Sequence, residues 1–409
     1  MDCDVVVVGA GLAGLACART LHARGHGVRV LEGADAVGGR VRSERVDGFT
    51  LDRGFQVLNP AYPAVRRLVD VRALDLQSFL PGVVVRREGC LALVADPRRA
   101  PRLIGRTLTS GLLRPAEIAR LALWAAAALG SVDALLRRPD APWGRSLTEA
   151  GVRGPLRSEV LEPFLAGVLA EGDGTTSTTF VRLLVRTFLL GTPGVPAQGM
   201  GALPQQIADG LPAVSLSTPV ERIDASGEGH VVRTPAGQVR ARAVVVATDP
   251  VTTEHLAGVP APPMNGLVTH WYAADEPPST TPAIHLDGRR RGPVVNAAVM
   301  TAAAPGYAPR GQHLVQVTCL LGEQAPTEST VRRQAGEIFG VGTTTWREVG
   351  RHEIRGALPA LPPPLVVRQP VDLGEGRFVC GDHRDTPSQQ GALASGRRTA
   401  AAVERWLLR

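Results

Sequence analysis

The chain opens on an unbroken β-branched run, Val5–Val8, which suits a parallel strand buried on both faces. Leu12–Arg24 follows with apolar positions at helical spacing and stops at Gly25 and Gly27. Val28–Leu31 repeats the strand pattern, so the first thirty residues predict a β-α-β unit. Asp96–Arg138 and Leu147–Leu190 read as helices. Arg114-Pro115-Ala116-Glu117 is a plausible helix start, because proline fits the first helical turn. At Gly191–Pro204 the composition shifts to a Gly/Pro linker, and short strands follow. His230–Thr248 predicts a hairpin turning at Pro235-Ala236-Gly237 and running into a strong strand. Strands dominate from Leu267 to Cys319, with breaks at Pro260–Pro263, Glu276–Pro282 and Pro359–Pro364. The last strand is Phe378–Cys380, and the last helix runs from about Gly391 to the end.

A chain of 409 residues exceeds one ordinary core, so two domains are expected. Strand-and-helix patterns of nucleotide-binding type occur at both ends and in the middle. They predict a discontinuous first domain of residues 1–75, 196–265 and 350–409. A second domain takes 76–195 and 266–349. No apolar run is long enough to cross a bilayer; Leu121–Leu129 is half a span. Asp2 and Asp4 stand where a secretory signal would be basic. The five cysteines (Cys3, Cys17, Cys90, Cys319, Cys380) are odd in number and scattered, which gives neither a disulfide framework nor zinc spacing. A cytoplasmic location is therefore expected, and no metal site.

Net charge is +7, and all 45 basic residues are arginine. Lysine chemistry, whether Schiff base or general base, is excluded. The densest basic segment, Arg98–Arg114, interleaves Arg with Leu and Ile. It reads either as a solvated amphipathic face or as a peripheral membrane contact. Aromatics are few, at 4%, and no reader motif is present, so nucleic acid is not expected as a partner.

Gly9, Gly11 and Gly14 form G-x-G-x-x-G directly after the first strand, with Leu12 and Ala13 between the last two. The first glycine permits a tight turn, the second lets backbone approach a pyrophosphate, and the third lets helix pack on strand. The helix N-terminus adds N–H donors for phosphate. Glu32, at the end of the second strand, is placed to accept from ribose hydroxyls. No Arg immediately follows it, so a 2′-phosphate is not expected. Just beyond lie Gly38, Gly39 and Arg40, whose guanidinium suits a diphosphate.

These residues, with several later segments, resemble the flavin-containing amine oxidase superfamily, which includes monoamine and polyamine oxidases, phytoene desaturases and protoporphyrinogen oxidases. FTLDRGFQVLN at Phe49–Asn59 is similar to the segment passing the flavin ring. PAQGMGALPQQIADGL at Pro196–Leu211 is similar to the P-x-G-G-M-x-x-L segment, with Gln198 in place of the first glycine. TPVERI at Thr218–Ile223 and ARAVVVATDP resemble the adenine-contacting strand and the strand closing the nucleotide domain. GRFVCGDHRDTPSQQGALASGRRTA resembles the closing motif.

The resemblance implies FAD as cofactor and an α/β fold: a Rossmann-type FAD-binding domain with an interleaved mixed-sheet and helical substrate domain. It implies that Arg40 meets the pyrophosphate and that Gly54 and Phe55 pass the flavin. Val220 would meet adenine through backbone, and Asp382 would accept from the ribityl chain. Gly391 and Ala392 would bring a helix N-terminus to the flavin N1–C2=O edge, where N–H donors stabilise the reduced form.

Two amine-oxidase features that the resemblance would bring are missing. The chain has no lysine, and Trp346–Pro364 has Trp346 but no Tyr or Phe after it. The segment around Phe164, Phe180 and Phe188 looks instead like the desaturase side of the superfamily. There these phenylalanines either line an apolar cavity or simply pack helices. His383 is a candidate proton relay. Gln56 is a candidate for orienting a substrate polar group, or for capping backbone. The expected function is dehydrogenation of a lipophilic small molecule by hydride transfer to flavin N5. The alternatives are an amine oxidase releasing hydrogen peroxide, a reduced-flavin-dependent isomerase, and a flavin-bound scaffold without turnover. Sequence leaves the oligomeric state open.

Overall fold

Val5–Val8 sits inside the first sheet, flanked on both sides by strands that are largely apolar where they pair with it. A computed structural model describes residues 1–227 and 229–409. In it β1 (Cys3–Val8) lies between β2 (Val28–Leu31) and β12 (Gly237–Val246), parallel to both. Val5 is in register with Val28 and Ala243, and Val8 with Leu31 and Val246. All these side chains are buried, as expected of a parallel strand covered on both faces. β9 (Val214–Ser215) extends the sheet beyond β2, and β19 (Arg377–Val379) pairs with the far half of β12. The antiparallel strands β10 (Arg222–Ser226) and β11 (Gly229–Thr234) join the near half of β12, and β18 (Asp372–Gly374) flanks β19. The hairpin turns at Pro235-Ala236-Gly237 as its sequence predicts.

The first helix, Leu12–His22, packs against the last, Gln389–Leu407. Their approach is close: a Cβ on Gly396 would overlap the Ala13 carbonyl oxygen. The last helix starts two residues before Gly391, because Ser388 caps it by accepting from Gly391 N–H at 3.0 Å.

The second sheet has the order β17-β13-β16-β15-β14-β6-β7. Its strands are β6 (Gly82–Arg87), β7 (Cys90–Ala95), β13 (Met264–Ala274), β14 (Ile284–Asp287), β15 (Val294–Val299), β16 (His313–Leu320) and β17 (Arg347–Pro359). Only β14 and β6 pair in parallel. β17 runs antiparallel to β13 from Arg347 to Pro359. A domain boundary at residue 350 therefore falls inside a strand of the second sheet, and residues 350–359 go with the second domain. The physical reason is the ladder itself, which holds β17 to β13 along its whole length.

Two small sheets tie the parts together: β3 (Ser43–Val46) with β4 (Phe49–Asp52), and β5 (Leu76–Ser78) with β8 (Gly194–Pro196). Between β7 and β8 lies the helical segment expected from the pattern. It includes Pro115–Ala126, with Pro115 in its first turn, and Glu162–Leu169 and Thr178–Leu190. Two ionic side chains, Glu117 buried and Arg99 half-buried, serve its helix ends. Glu117 accepts from the N–H groups of Gly154, Leu156 and Arg157, and so caps the helical turns starting at Leu156. Arg99 donates to the carbonyls of Phe188, Leu189 and Gly191 at the C-terminus of Thr178–Leu190, where cations are favoured.

Candidate active site

The glycine loop is shaped by its neighbours. Gly9 has φ +102°, and a Cβ there would stand 2.8 Å from the Ala247 carbonyl oxygen. A Cβ on Gly14 would overlap the Gly9 carbonyl oxygen, so this glycine lets helix meet strand. Gly11 differs, because nothing lies within 4 Å of a Cβ built there. Leu12 and Ala13 bury their side chains in the core, which leaves backbone as their offering to a ligand. Gly11 is also the N-cap of the first helix, with no side-chain cap and no acid in the first turn. The helix N–H groups are thus left for an anion from outside.

Three further segments close around this loop. Glu32 accepts from Ala10 N–H at 2.6 Å and Ala34 N–H at 2.8 Å. A carboxylate has about four lone-pair sites, so acceptor capacity remains for ribose hydroxyls. Gly38 bridges to Gly11, its N–H bonds Ala10 O at 2.8 Å, and its φ is +112°. Gly39 is exposed, with only Gly11 Cα near a Cβ placed on it. Thr218 N–H bonds the Glu32 carbonyl at 2.7 Å, which brings the Val220 segment beside the acid. Val220 itself packs against the apolar cluster that includes Val6, Val8 and Leu31.

Arg40 joins distant parts of the chain. Its Nη2 donates to Asp382 Oδ1 at 2.6 Å and its Nη1 to the Ala357 carbonyl at 2.9 Å. Burial works against the guanidinium charge, but Asp382 and Asp249 hold its pKa above the ordinary value. Yet 34% of the side chain is open to solvent, while Asp382 is nearly closed off. Asp382 Oδ1 also accepts from His383 N–H, and among the described residues nothing donates to Oδ2. Gly391, buried against the Thr386 backbone, and half-buried Ala392 stand at the start of the last helix. An open glycine cradle, an uncapped helix start, an acid with spare acceptors and an accessible arginine fit an adenine dinucleotide diphosphate.

Gln56 turns inward. Its Nε2 donates to the carbonyls of Arg40 and Arg53, so it braces the loop that carries Arg40. Of the two roles open to it in sequence, backbone capping is the one the hydrogen bonds display. Neighbouring Gly54 has φ +80°, and a Cβ there would lie 2.9 Å from Ile354 Cδ1. Phe55 meets Phe79 edge-to-face at 5.9 Å.

His383 is buried, with no hydrogen-bond partner at either ring nitrogen among the described residues. Burial pushes its pKa down to about 4, so the ring is neutral at neutral pH. Phe180 is buried in a cluster with Trp124, Trp143 and Leu184. Phe164 and Phe188 are half-buried against that cluster and meet edge-to-face at 5.4 Å. All three pack helices together.

Sequence reasoning missed Asp52. It is buried and accepts from Ser43 Oγ at 2.5 Å, Met200 N–H at 2.8 Å and Tyr307 Oη at 3.0 Å. Burial raises its pKa to about 6 against these donors. Asp52 thereby locks the Phe49–Asn59 segment to the Pro196–Leu211 segment and to the second domain. His352, on β17, accepts from Trp271 Nε1 at 3.1 Å and faces Glu44 at 3.3 Å, which makes it a tie between domains. A surface hollow of about 620 Å³ beside the helix Glu328–Phe339 shares no residue with this site.

Fold and cradle together define a dinucleotide-binding protein in which a parallel, Rossmann-type sheet stands beside a second, mainly antiparallel one. The family described as flavin containing amine oxidoreductase matches residues 12–404. The chain belongs to this family. It is 31% identical over 294 residues to a Mycobacterium tuberculosis protein assigned as a flavin-containing monoamine oxidase; that match covers 66% of this chain and 62% of the relative. It is 33% identical over 278 residues to putrescine oxidase of Kocuria rosea, covering 60% of this chain and 57% of the relative. The matched region thus spans less than two thirds of either relative. A solved Exiguobacterium structure assigned as a protoporphyrinogen oxidase shares the fold, with a TM-score of 0.74 over 99% of both chains at 17% identity.

Proposed function

We propose that this chain dehydrogenates a neutral, lipophilic small molecule. FAD, when bound, supplies the chemistry by accepting a hydride from a substrate C–H. Gly11, Gly38 and the first helix start would hold the pyrophosphate with Arg40, and Glu32 the ribose. Asp382 would take a ribityl hydroxyl, and the capped start of the last helix would favour charge at the reduced ring.

The observation behind the substrate class is that the buried side chains packed beside Gly54 form a neutral wall. Ile354 and Thr269 are the residues a Cβ on Gly54 would meet. Thr269 begins a buried chain of uncharged groups. Its Oγ1 pairs with Thr318 Oγ1 at 2.8 Å, Thr318 donates to Gln316 at 3.0 Å, and Gln316 donates to Asn296 at 3.0 Å. Such a wall suits an uncharged substrate, whereas an alkylammonium ion needs a charged or aromatic partner to offset its desolvation. The nearby ionic groups are already committed, His352 to Trp271 and Glu44, and Glu44 to Arg53.

The test is product analysis with the holoenzyme, an isoprenoid or polyene panel, and a quinone as acceptor. The expected product carries one more double bond. A product of unchanged mass would point to isomerisation. A second reading, amine oxidation, is favoured by the named activities of the two sequence relatives. An aldehyde and hydrogen peroxide from an amine panel would establish it and overturn the first.

A further inference from the structure

The helix Pro115–Ala126 has an unusual division of faces. Inward it sends Glu117, which caps the turns at Leu156, and Trp124, which donates to Ser146 and lies 4.9 Å from the Arg182 guanidinium. Outward it shows Ile118, Ala119, Ala122, Leu123 and Ala126, all exposed, with Leu123 80% accessible. In the turn and short helix that follow, Leu129, 65% accessible, and Val132 are exposed as well. From Pro115 to Leu136 the exposed charges are Arg120, which donates to the Gly151 carbonyl, and Asp133. Both ends of the stretch are cationic. Arg114 precedes it and Arg137 and Arg138 follow it, all exposed and, among the described residues, in no ion pair. The preceding turn, Ile104–Leu108, repeats the combination, with exposed Ile104 and Leu108 around Arg106.

We propose that this face, Pro115–Leu136 with its arginine ends, rests on an anionic lipid surface. An amphipathic helical segment with apolar residues on one face and arginines at its margins buries the former at the acyl boundary and pairs the latter with headgroup phosphates. Charge decides against a second copy of the chain as the cover. Two-fold pairing of this face, in either helix direction, would set cationic ends against cationic ends. No helix among the described residues is long and apolar enough to cross a membrane, so the contact is peripheral. The proposal stands apart from the substrate reading, because it concerns binding alone.

Flotation of the purified holoprotein with vesicles tests it. One set contains phosphatidylcholine only; the other adds phosphatidylglycerol. The expected result is flotation with the anionic set, weakened by salt, and none with the neutral set. Arg137→Ala and Arg138→Ala should each lower partitioning about fivefold. Leu123→Asp should abolish flotation while flavin content and the thermal melt stay unchanged, since Leu123 is exposed. Three results would overturn the proposal: no preference for anionic vesicles, anionic binding that Leu123→Asp leaves intact, or a dimer by light scattering that Leu123→Asp dissolves without any vesicle binding.

Discussion

At the residue scale, the diphosphate contact proposed for Arg40 is open to a direct test. Arg40→Ala would remove the proposed diphosphate partner and strand Asp382, 5% exposed, without its cation. Bonds to charged groups are worth about 1.5–3 kcal/mol each. FAD affinity measured by fluorescence titration should fall at least about tenfold, with Arg40→Lys recovering part of it. His383 and Asp52 make a paired prediction. An unfolded histidine titrates near 6.5 and the buried His383 near 4. Between those values the unfolded chain binds a proton that the folded chain refuses, so this residue costs stability as pH falls. Asp52 works in the opposite sense. Its folded pKa near 6 exceeds the ordinary 3.8, so the folded chain keeps a proton that the unfolded chain has released, and stability falls as pH rises from 4 to 6. Each contribution is of order 3 kcal/mol. Relative to wild type, His383→Gln should gain stability toward pH 4, and Asp52→Asn should gain it toward pH 6. Denaturant titrations across this window check both signs.

At the element scale, close backbone approach limits the nucleotide unit. Gly14 and Gly396 each leave no room for a Cβ, the first against Gly9 and the second against Ala13. Gly14→Ala and Gly396→Val should each destabilise the protein by about 1–3 kcal/mol and yield flavin-depleted protein, read by the ratio of bound flavin to protein. The β1–helix–β2 unit was legible because its signals are local: an apolar run, three spaced glycines and an acid. The hairpin turn at Pro235–Gly237 was legible for the same reason. The place of β17 was not, since its membership depends on pairing with β13 some eighty residues earlier, and its exposure pattern resembles that of any edge strand. Asp52 was hidden for a related reason. Its partners Met200 and Tyr307 lie far along the chain, and only the fold gathers them. Phe164, Phe180 and Phe188 show the converse, as apolar spacing alone cannot distinguish packed helices from a cavity wall.

At the scale of the whole molecule, the cradle draws on the first segment and the last, with Arg40 bonded to Asp382 near the chain's end and to Ala357 of β17. A ligand held there binds the folded chain alone. A hundredfold excess over its dissociation constant adds about 2.7 kcal/mol, and for a chain of this length a cooperative melt should rise by about 3 °C. Calorimetry of apoprotein with and without FAD would show this. NAD in place of FAD should give no such shift. The most direct test of the central claim is anaerobic mixing of oxidised holoenzyme with a neutral isoprenoid or, separately, a primary amine, following the visible flavin absorbance. Bleaching by the neutral substrate and none by the amine is the predicted result. Bleaching by the amine alone would contradict the account and return the chain to the chemistry named for its sequence relatives.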